Sequence, residues 1–219
     1  MSTATTALPR FQGWLSSLVS RPLFWAIFVV LGLAVPIART MAVKLPPPLP
    51  VLAHVPAFAF TDQYGKAFTS QQLEGKVWVA DSIFTRCPSI CPVFTQKMYE
   101  IQHRGRNLGE YFHLVSFSVD PEFDTPEVML AYAKQHKASP RMWTFLTGDR
   151  AALTRTLVEG LHVQMTKSGT DDDLMSIGHG GHFVLVDAKM QIRGYYDSSA
   201  PDAVDTLLRD AGLLANRGY

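Results

Sequence analysis

Residues 77–94 read VWVADSIFTRCPSICPVF. The opening apolar, β-branched run predicts a strand over 77–84. From Pro92 the pattern changes: Phe94, Met98, Ile101 and Leu108 recur near helical spacing, which predicts a helix over 92–108. Between strand and helix lie Cys87 and Cys91, the two cysteines of the 219-residue chain, each followed by a proline. A strand, a loop carrying paired thiols and a helix form the unit from which the rest of the fold is read.

The thiols enclose too short a loop to act as a stabilising staple, because the stabilisation given by a disulfide grows with loop length. Proline disfavours the α conformation in the residue before it, so Cys87 and Cys91 are both pushed away from helix. Pro92 suits the first helical position, which puts Cys91 near the N-cap. A helix start presents free N–H groups and positive partial charge, and both favour a thiolate. Redox-active dithiols of thioredoxin type use two intervening residues; here there are three. The wider spacing eases the sharing of one metal ion without preventing a disulfide.

Further strands and helices follow in an order that sets the fold class. FAFTDQYGKAF (58–68) reads as a hairpin around Tyr64-Gly65. HLVSFSVD (113–120) is a strand, 126–136 a helix opening on Pro126, MWTFLTG a strand and 149–160 a helix. HFVLVDAKMQIRGYYD (182–197) reads as two strands about Ala188-Lys189, with a terminal helix from Pro201. Alternating strands and helices, then a hairpin and a helix, predict an α/β domain: a thioredoxin-like mixed sheet flanked by helices.

The amino end has a different character. The first acidic residue is Asp62, and the 17 residues between Arg21 and Arg39, PLFWAIFVVLGLAVPIA, carry no charge. That length is near the short end of the roughly 17–25 residues that span a bilayer as a helix. Trp14 and Trp25 suit the interfacial belt. IARTMAV is a poor cleavage site for a signal peptide. The expected organisation is a short segment (1–21), a transmembrane anchor (22–38), a proline-rich linker (39–56) and the thioredoxin-like domain (57–219). Net charge is +1 with no dense basic run, so nothing recommends a nucleic-acid partner.

Two thiolates rarely complete a site, and the chain has seven histidines. His54, His103 and His113 sit in bland contexts and read as structural. His179 lies in SIGHGGHFVLVD among Gly178, Gly180 and Gly181, where the backbone is free to bring it close to other groups. In a thioredoxin-like sheet this loop shares an end with the cysteine loop. His182 is its rival and reads as the first residue of the following strand. Met165 and Met175 are nearby thioethers whose common fate is packing. Two cysteines and one histidine make a soft site that suits Cu(I) and holds Cu(II) with a further ligand.

FTRCPSICP, then SVDPEFDTPE, then a histidine eight residues before the Asp of FVLVD together resemble the Sco/SenC family, over about residues 56–215. Its members are membrane-anchored copper-binding proteins of cytochrome c oxidase assembly. The resemblance implies copper ligation by Cys87, Cys91 and His179. It also implies a partner in the binuclear copper centre of oxidase subunit II, with other copper chaperones or thioredoxin-like reductants as further partners. Without the family, DTPE reads as a helix N-terminus capped by Asp124 or Thr125, and Asp120 as the end of a strand facing the site. Ser89 stands where many relatives carry an acid, and Gly178 and Gly180 flank the histidine where the family often has Asp and Ser or Thr. Both departures bear on copper affinity.

A copper chaperone is the leading reading, and a thiol–disulfide oxidoreductase acting on partner cysteines is the alternative. A redox-sensing enzyme and an anchored docking module are the remaining classes. The expected location is a bacterial inner membrane, single-pass, with the C-terminal domain in the periplasm, since functional dithiols favour oxidising compartments. A mitochondrial inner membrane is the other setting.

Overall fold

The structure, a computed structural model, describes residues 21–42, 47–86, 91–163 and 181–216, with the side chains of all but 40–42, 91 and 92. Two units separate at Pro48 and Leu49. The first contains helix α1, Pro22–Ala42, whose window Pro22–Arg39 has a mean hydropathy of 1.9. Its large apolar side chains, among them Leu23, Ile27, Leu31 and Val35, are exposed all along the helix. An apolar helix with no protein to cover it has the length and composition to cross a membrane.

The second unit, Leu49–Tyr219, is built on the strand that opened the sequence reading. Strand β4, Val77–Ile83, alternates strictly: Val77, Val79 and Ile83 face one apolar layer, and Trp78 and Ala80 the other. Burial on both faces marks a central strand. It pairs in parallel with β5, Phe112–Ser118, which pairs in parallel with β6, Trp143–Thr147. On its other side β7, His182–Val186, runs antiparallel and turns into β8, Gln191–Asp197. The hairpin of β2, Ala59–Asp62, and β3, Ala67–Thr69, pairs with β6. Gly65, at φ 74°, supplies the left-handed turn residue of that hairpin. With β1, Ala53–His54, at one rim, the sheet order among the described residues is β1-β8-β7-β4-β5-β6-β2-β3.

Helices close both faces. α2 (Cys91–Gly105), α3 (Pro126–Gln135) and α5 (Ala203–Asn216) cover the layer of Val79, Leu114, Phe145 and Phe183. α4 (Arg150–Arg155) and the π turn that follows it, Thr156–Gly160, cover the layer of Trp78, Val115 and Phe117. This is a mixed sheet flanked by helices, the thioredoxin-like class expected.

The differences from expectation have local causes. α2 stops at Gly105 and passes into a 3-10 segment, Arg106–Tyr111, which is kinked at Gly109 (φ 63°, ψ −141°). α5 starts at Ala203 rather than Pro201, with the Asp202 carbonyl accepting from the Thr206 N–H. Residues 53 and 54, inside the stretch expected to be a spacer, form strand β1 opposite Gln191 and Ile192. The neighbouring backbone is held as well: the Leu49 carbonyl accepts from Arg193 Nη1 at 2.6 Å. Arg193 is in turn paired with fully buried Asp187 at 2.6 Å.

α4 is short, and its start is held by Asp149, whose Oδ2 accepts from the Ala152 N–H at 2.8 Å. Asp149→Ala removes this cap. The expected loss is about 1 kcal/mol, read from the urea midpoint with an unchanged slope.

Candidate metal centre

Parallel strands β4, β5 and β6 end at one edge of the sheet, where α/β folds bind ligands. β4 leads through Phe84, Thr85 and Arg86 to Cys87. β5 leads into SVDPEFDTPE, and β6 into Asp149 and Arg150. β7 is antiparallel to β4, so its first residue, His182, and the preceding Gly181 lie at this edge too.

Of the expected ligands, Cys91 is the first residue of α2, one position further into the helix than the cap expected for it. Cys87 and His179 lie outside the described residues, as do Met165 and Met175. Among the described residues no three His, Cys, Asp or Glu side chains gather as a metal site.

The described surroundings form a frame for the cysteine loop. Asp124 faces inward. One oxygen accepts from the Thr85 N–H at 3.2 Å and the Thr85 hydroxyl at 2.5 Å; the other accepts from the Ser118 hydroxyl at 2.6 Å. Burial raises the pKa of this carboxyl, and the donors from Ser118 and Thr85 pull against that rise. Thr125 is therefore the cap of α3, its hydroxyl accepting from the Val128 N–H at 3.4 Å. Asp124 serves the loop instead.

Asp120 is buried, and its Oδ2 accepts from Arg86 Nε at 2.7 Å. Its Oδ1 lies 3.4 Å from Arg150 Nη2, and Arg150 also pairs with Glu122. The Arg86 guanidinium sits 4.9 Å from the centre of the half-exposed Phe123 ring. The residues immediately before Cys87 are thus tied to both aspartates of the second motif, Asp120 and Asp124.

The other histidines have ordinary structural partners or positions. His113 is buried, hydrogen-bonded to the Thr144 hydroxyl at 2.9 Å, and burial lowers its pKa to about 4. His103 stacks on Tyr99 and His136 lies against Tyr132. His54 is in β1. His182 is exposed and stands opposite Asp197.

Sequence reasoning passed over Arg86, Arg150 and Asp81. The available signal for Asp81 was an acid inside an otherwise apolar strand, VWVADSIF. The two arginines had none, because the ion pairs they make join segments about 30 residues apart in sequence.

Comparison with known proteins gives a consistent answer. A family model described as SCO1/SenC matches residues 49–210. The SCO1 protein homolog of Bacillus subtilis is 30% identical over 162 residues, covering 74% of this chain and 82% of that protein. A solved structure of BsSco, described as a member of the Sco family of cytochrome c oxidase assembly proteins with a disulfide switch, superposes with a TM-score of 0.68. Its identity is 27%, over 78% of this chain and 98% of that one. ScoI of Bradyrhizobium japonicum with copper bound superposes with a TM-score of 0.59 at 27% identity, over 72% of this chain and 99% of that one. The match covers most of the chain, spans both the cysteine loop and the acidic motif that frames it, and places this chain in the SCO1/SenC family.

Proposed function

We propose that this chain is a membrane-anchored copper chaperone. It binds one copper through Cys87, Cys91 and His179 and assists assembly of the binuclear copper centre of cytochrome c oxidase, with subunit II as partner. The observation that carries the reading is the position of the cysteine loop. It lies between the end of a central parallel strand and the start of α2, and Asp120 and Asp124 hold its entry. Copper-bound ScoI belongs to the same family.

The chemistry of the donor set fits the cargo. Two thiolates and an imidazole are soft ligands suited to Cu(I). The start of α2 favours ionised sulfur at Cys91 through its free N–H groups. A site of few ligands at the rim of a sheet leaves room for an incoming thiolate from a partner, which is what transfer requires.

α1 serves as a single-pass anchor, with the domain in the oxidising periplasm of a bacterial inner membrane. Within the second unit, Leu49–Val55 is bonded to the hairpin of β7 and β8.

The test is copper stoichiometry on the full chain in detergent, reduced, loaded anaerobically with Cu(I) and challenged with a chelator of moderate affinity. Wild type is expected to keep one copper. Cys87→Ala and His179→Ala are expected to keep none. Retention of a full copper by both variants overturns the proposed ligand set.

A second reading is favoured by the disulfide switch described for BsSco. Here Cys87 and Cys91 exchange with a partner disulfide, and a thioredoxin-like dithiol reductant, itself oxidised to a disulfide, restores the thiols. This activity survives His179→Ala, which separates it from the first.

A further inference from the structure

β6 ends before it has covered its neighbour β2. Its last residue, Thr147, stands opposite Thr61, and the chain then turns through Gly148 and Asp149 into α4. Ala59, the first residue of β2, therefore has no strand beside it on that side. Alternation sets the direction of its main-chain groups. The Asp62 N–H donates to the Lys66 carbonyl at 2.8 Å, and the Phe58 carbonyl accepts from the Ser70 N–H at 3.0 Å, so the even-numbered residues face β3. Ala59, and Ala57 before it, face the side that β6 has left. Both are exposed, and neither has a main-chain hydrogen-bond partner on that side among the described residues.

α4 and its π turn form the other wall of a groove. Its volume is about 340 Å³, and Ala57, Ala59, Ala152, Arg155, Thr156 and Glu159 are among its lining. That is the small end of the roughly 300–1,000 Å³ of ligand sites, and the alanines leave the space to a backbone. Two close approaches show how the walls run. A Cβ on Gly148 would lie 3.2 Å from the Phe60 ring, and one on Gly160 would lie 3.0 Å from the Pro56 ring. The helix thus runs antiparallel to residues 56–60 and passes Arg155 before Glu159. These two side chains are exposed and opposite in charge, and among the described residues they form no ion pair with each other or with a third group.

An open strand edge beside a helix suits capture of a peptide as an added strand, where main-chain bonds give affinity and alternate side chains give specificity. Side chains two positions apart on a strand are about 7 Å apart. Residues four apart on a helix are separated by about 6 Å along its axis. The two spacings match. We propose that this groove takes up an extended segment of a partner protein. The segment lies antiparallel to β2, in line with β6, and exchanges main-chain hydrogen bonds with Ala57 and Ala59. It carries an acidic residue for Arg155 and, two positions later, a basic residue for Glu159. The groove opens at the carboxyl end of β6, the sheet edge of the candidate metal centre, where Arg150 of α4 pairs with Asp120. A partner held here is held beside that centre. The proposal stands on the groove and does not rest on the copper reading.

The test uses the full chain in detergent, labelled with nitrogen-15 at alanine, and two blocked peptides of opposite order, Ser-Asp-Ala-Lys-Ser and Ser-Lys-Ala-Asp-Ser. NMR titration is expected to shift the Ala57 and Ala59 amide signals and to slow their exchange with solvent. The first peptide is expected to bind about twofold or more tightly than the second, the effect of an exposed charge pair. Carrying Arg155→Glu and Glu159→Arg together should reverse that preference. The first peptide methylated at its backbone nitrogens should bind about threefold or more weakly, because hydrogen bonds are lost. Alanine amides that do not respond to millimolar peptide overturn the proposal. Undiminished binding of the methylated peptide overturns the added strand, and an unreversed preference in the double variant overturns the roles of Arg155 and Glu159. Protection of the same amides without peptide, rising with protein concentration, gives the groove to a second copy and overturns the partner segment.

Discussion

Asp81→Asn is expected to make the protein more stable at pH 8 and to leave it nearly unchanged at pH 4. The folded carboxyl has its pKa raised from 3.8 to about 7 by burial. Below about pH 4 the group is protonated in both the folded and unfolded chain and costs nothing. Between about pH 4 and 7 it is ionised only when unfolded, so unfolding releases a proton and stability falls as pH rises. Above about pH 7 it is ionised in both states and the full cost is present, roughly 4 kcal/mol at about 1.4 kcal/mol per pH unit. That figure is an upper bound, because a buried ionised group draws in water and relaxes its surroundings. Asparagine keeps the acceptor for Ser116 and cannot ionise. Urea unfolding of both proteins from pH 4 to 8 measures the effect. The wild-type curve should descend relative to the variant across that window. Parallel curves would mean that Asp81 is ionised throughout.

Asp124→Ala should be the most damaging single change at the edge of the cysteine loop. It leaves the Thr85 N–H, the Thr85 hydroxyl and the Ser118 hydroxyl without their shared acceptor. Ser118 is fully buried, so the donor it loses is not replaced by bulk water. Bonds to a carboxylate are worth about 1.5–3 kcal/mol each, and a shared network is not additive. The expected loss of stability is about 2–4 kcal/mol. On the copper reading, the same change should weaken copper retention about tenfold or more, in the range seen when a residue that orients metal ligands is removed. Asp124→Asn should recover part of both losses by keeping one acceptor oxygen. Asp149→Ala controls for general destabilisation: it removes a cap at the same end of the sheet, and copper retention should be untouched. Equal copper retention in Asp124→Ala and Asp149→Ala would show that Asp124 only stabilises the fold.

These two carboxylates also mark the limit of what could be read from the chain. The central strands were legible because burial on both faces writes a continuous apolar run, as in VWVADSIF and HLVSFSV. The hairpins were legible because Tyr64-Gly65 and Ala188-Lys189 interrupt alternating segments. The cysteine motif was legible because proline constrains the residue before it. Asp124 and Thr125 both read as candidate caps, since Asp-Thr before Pro-Glu has the local chemistry of one. Only the fold brings Thr85 within reach and turns the Asp124 side chain inward, leaving the cap to Thr125. β1 was hidden for a related reason. Ala53 and His54 have no pattern of their own and become a strand by pairing with β8.

The two outermost strands of the sheet are its shortest among the described residues: β1 has two residues and β3 has three. A long outer strand offers a row of unpaired amide and carbonyl groups to any other chain that drifts alongside. Here each rim offers only a few. On the proposed reading as a membrane-anchored protein, neighbours meet at high local concentration and in similar orientations, which is where strand-to-strand sticking between copies would be most damaging. A sheet blunted at both ends lets such a protein be crowded without adding its copies to one another, and leaves encounters to the loops at the carboxyl ends of β4, β5 and β6.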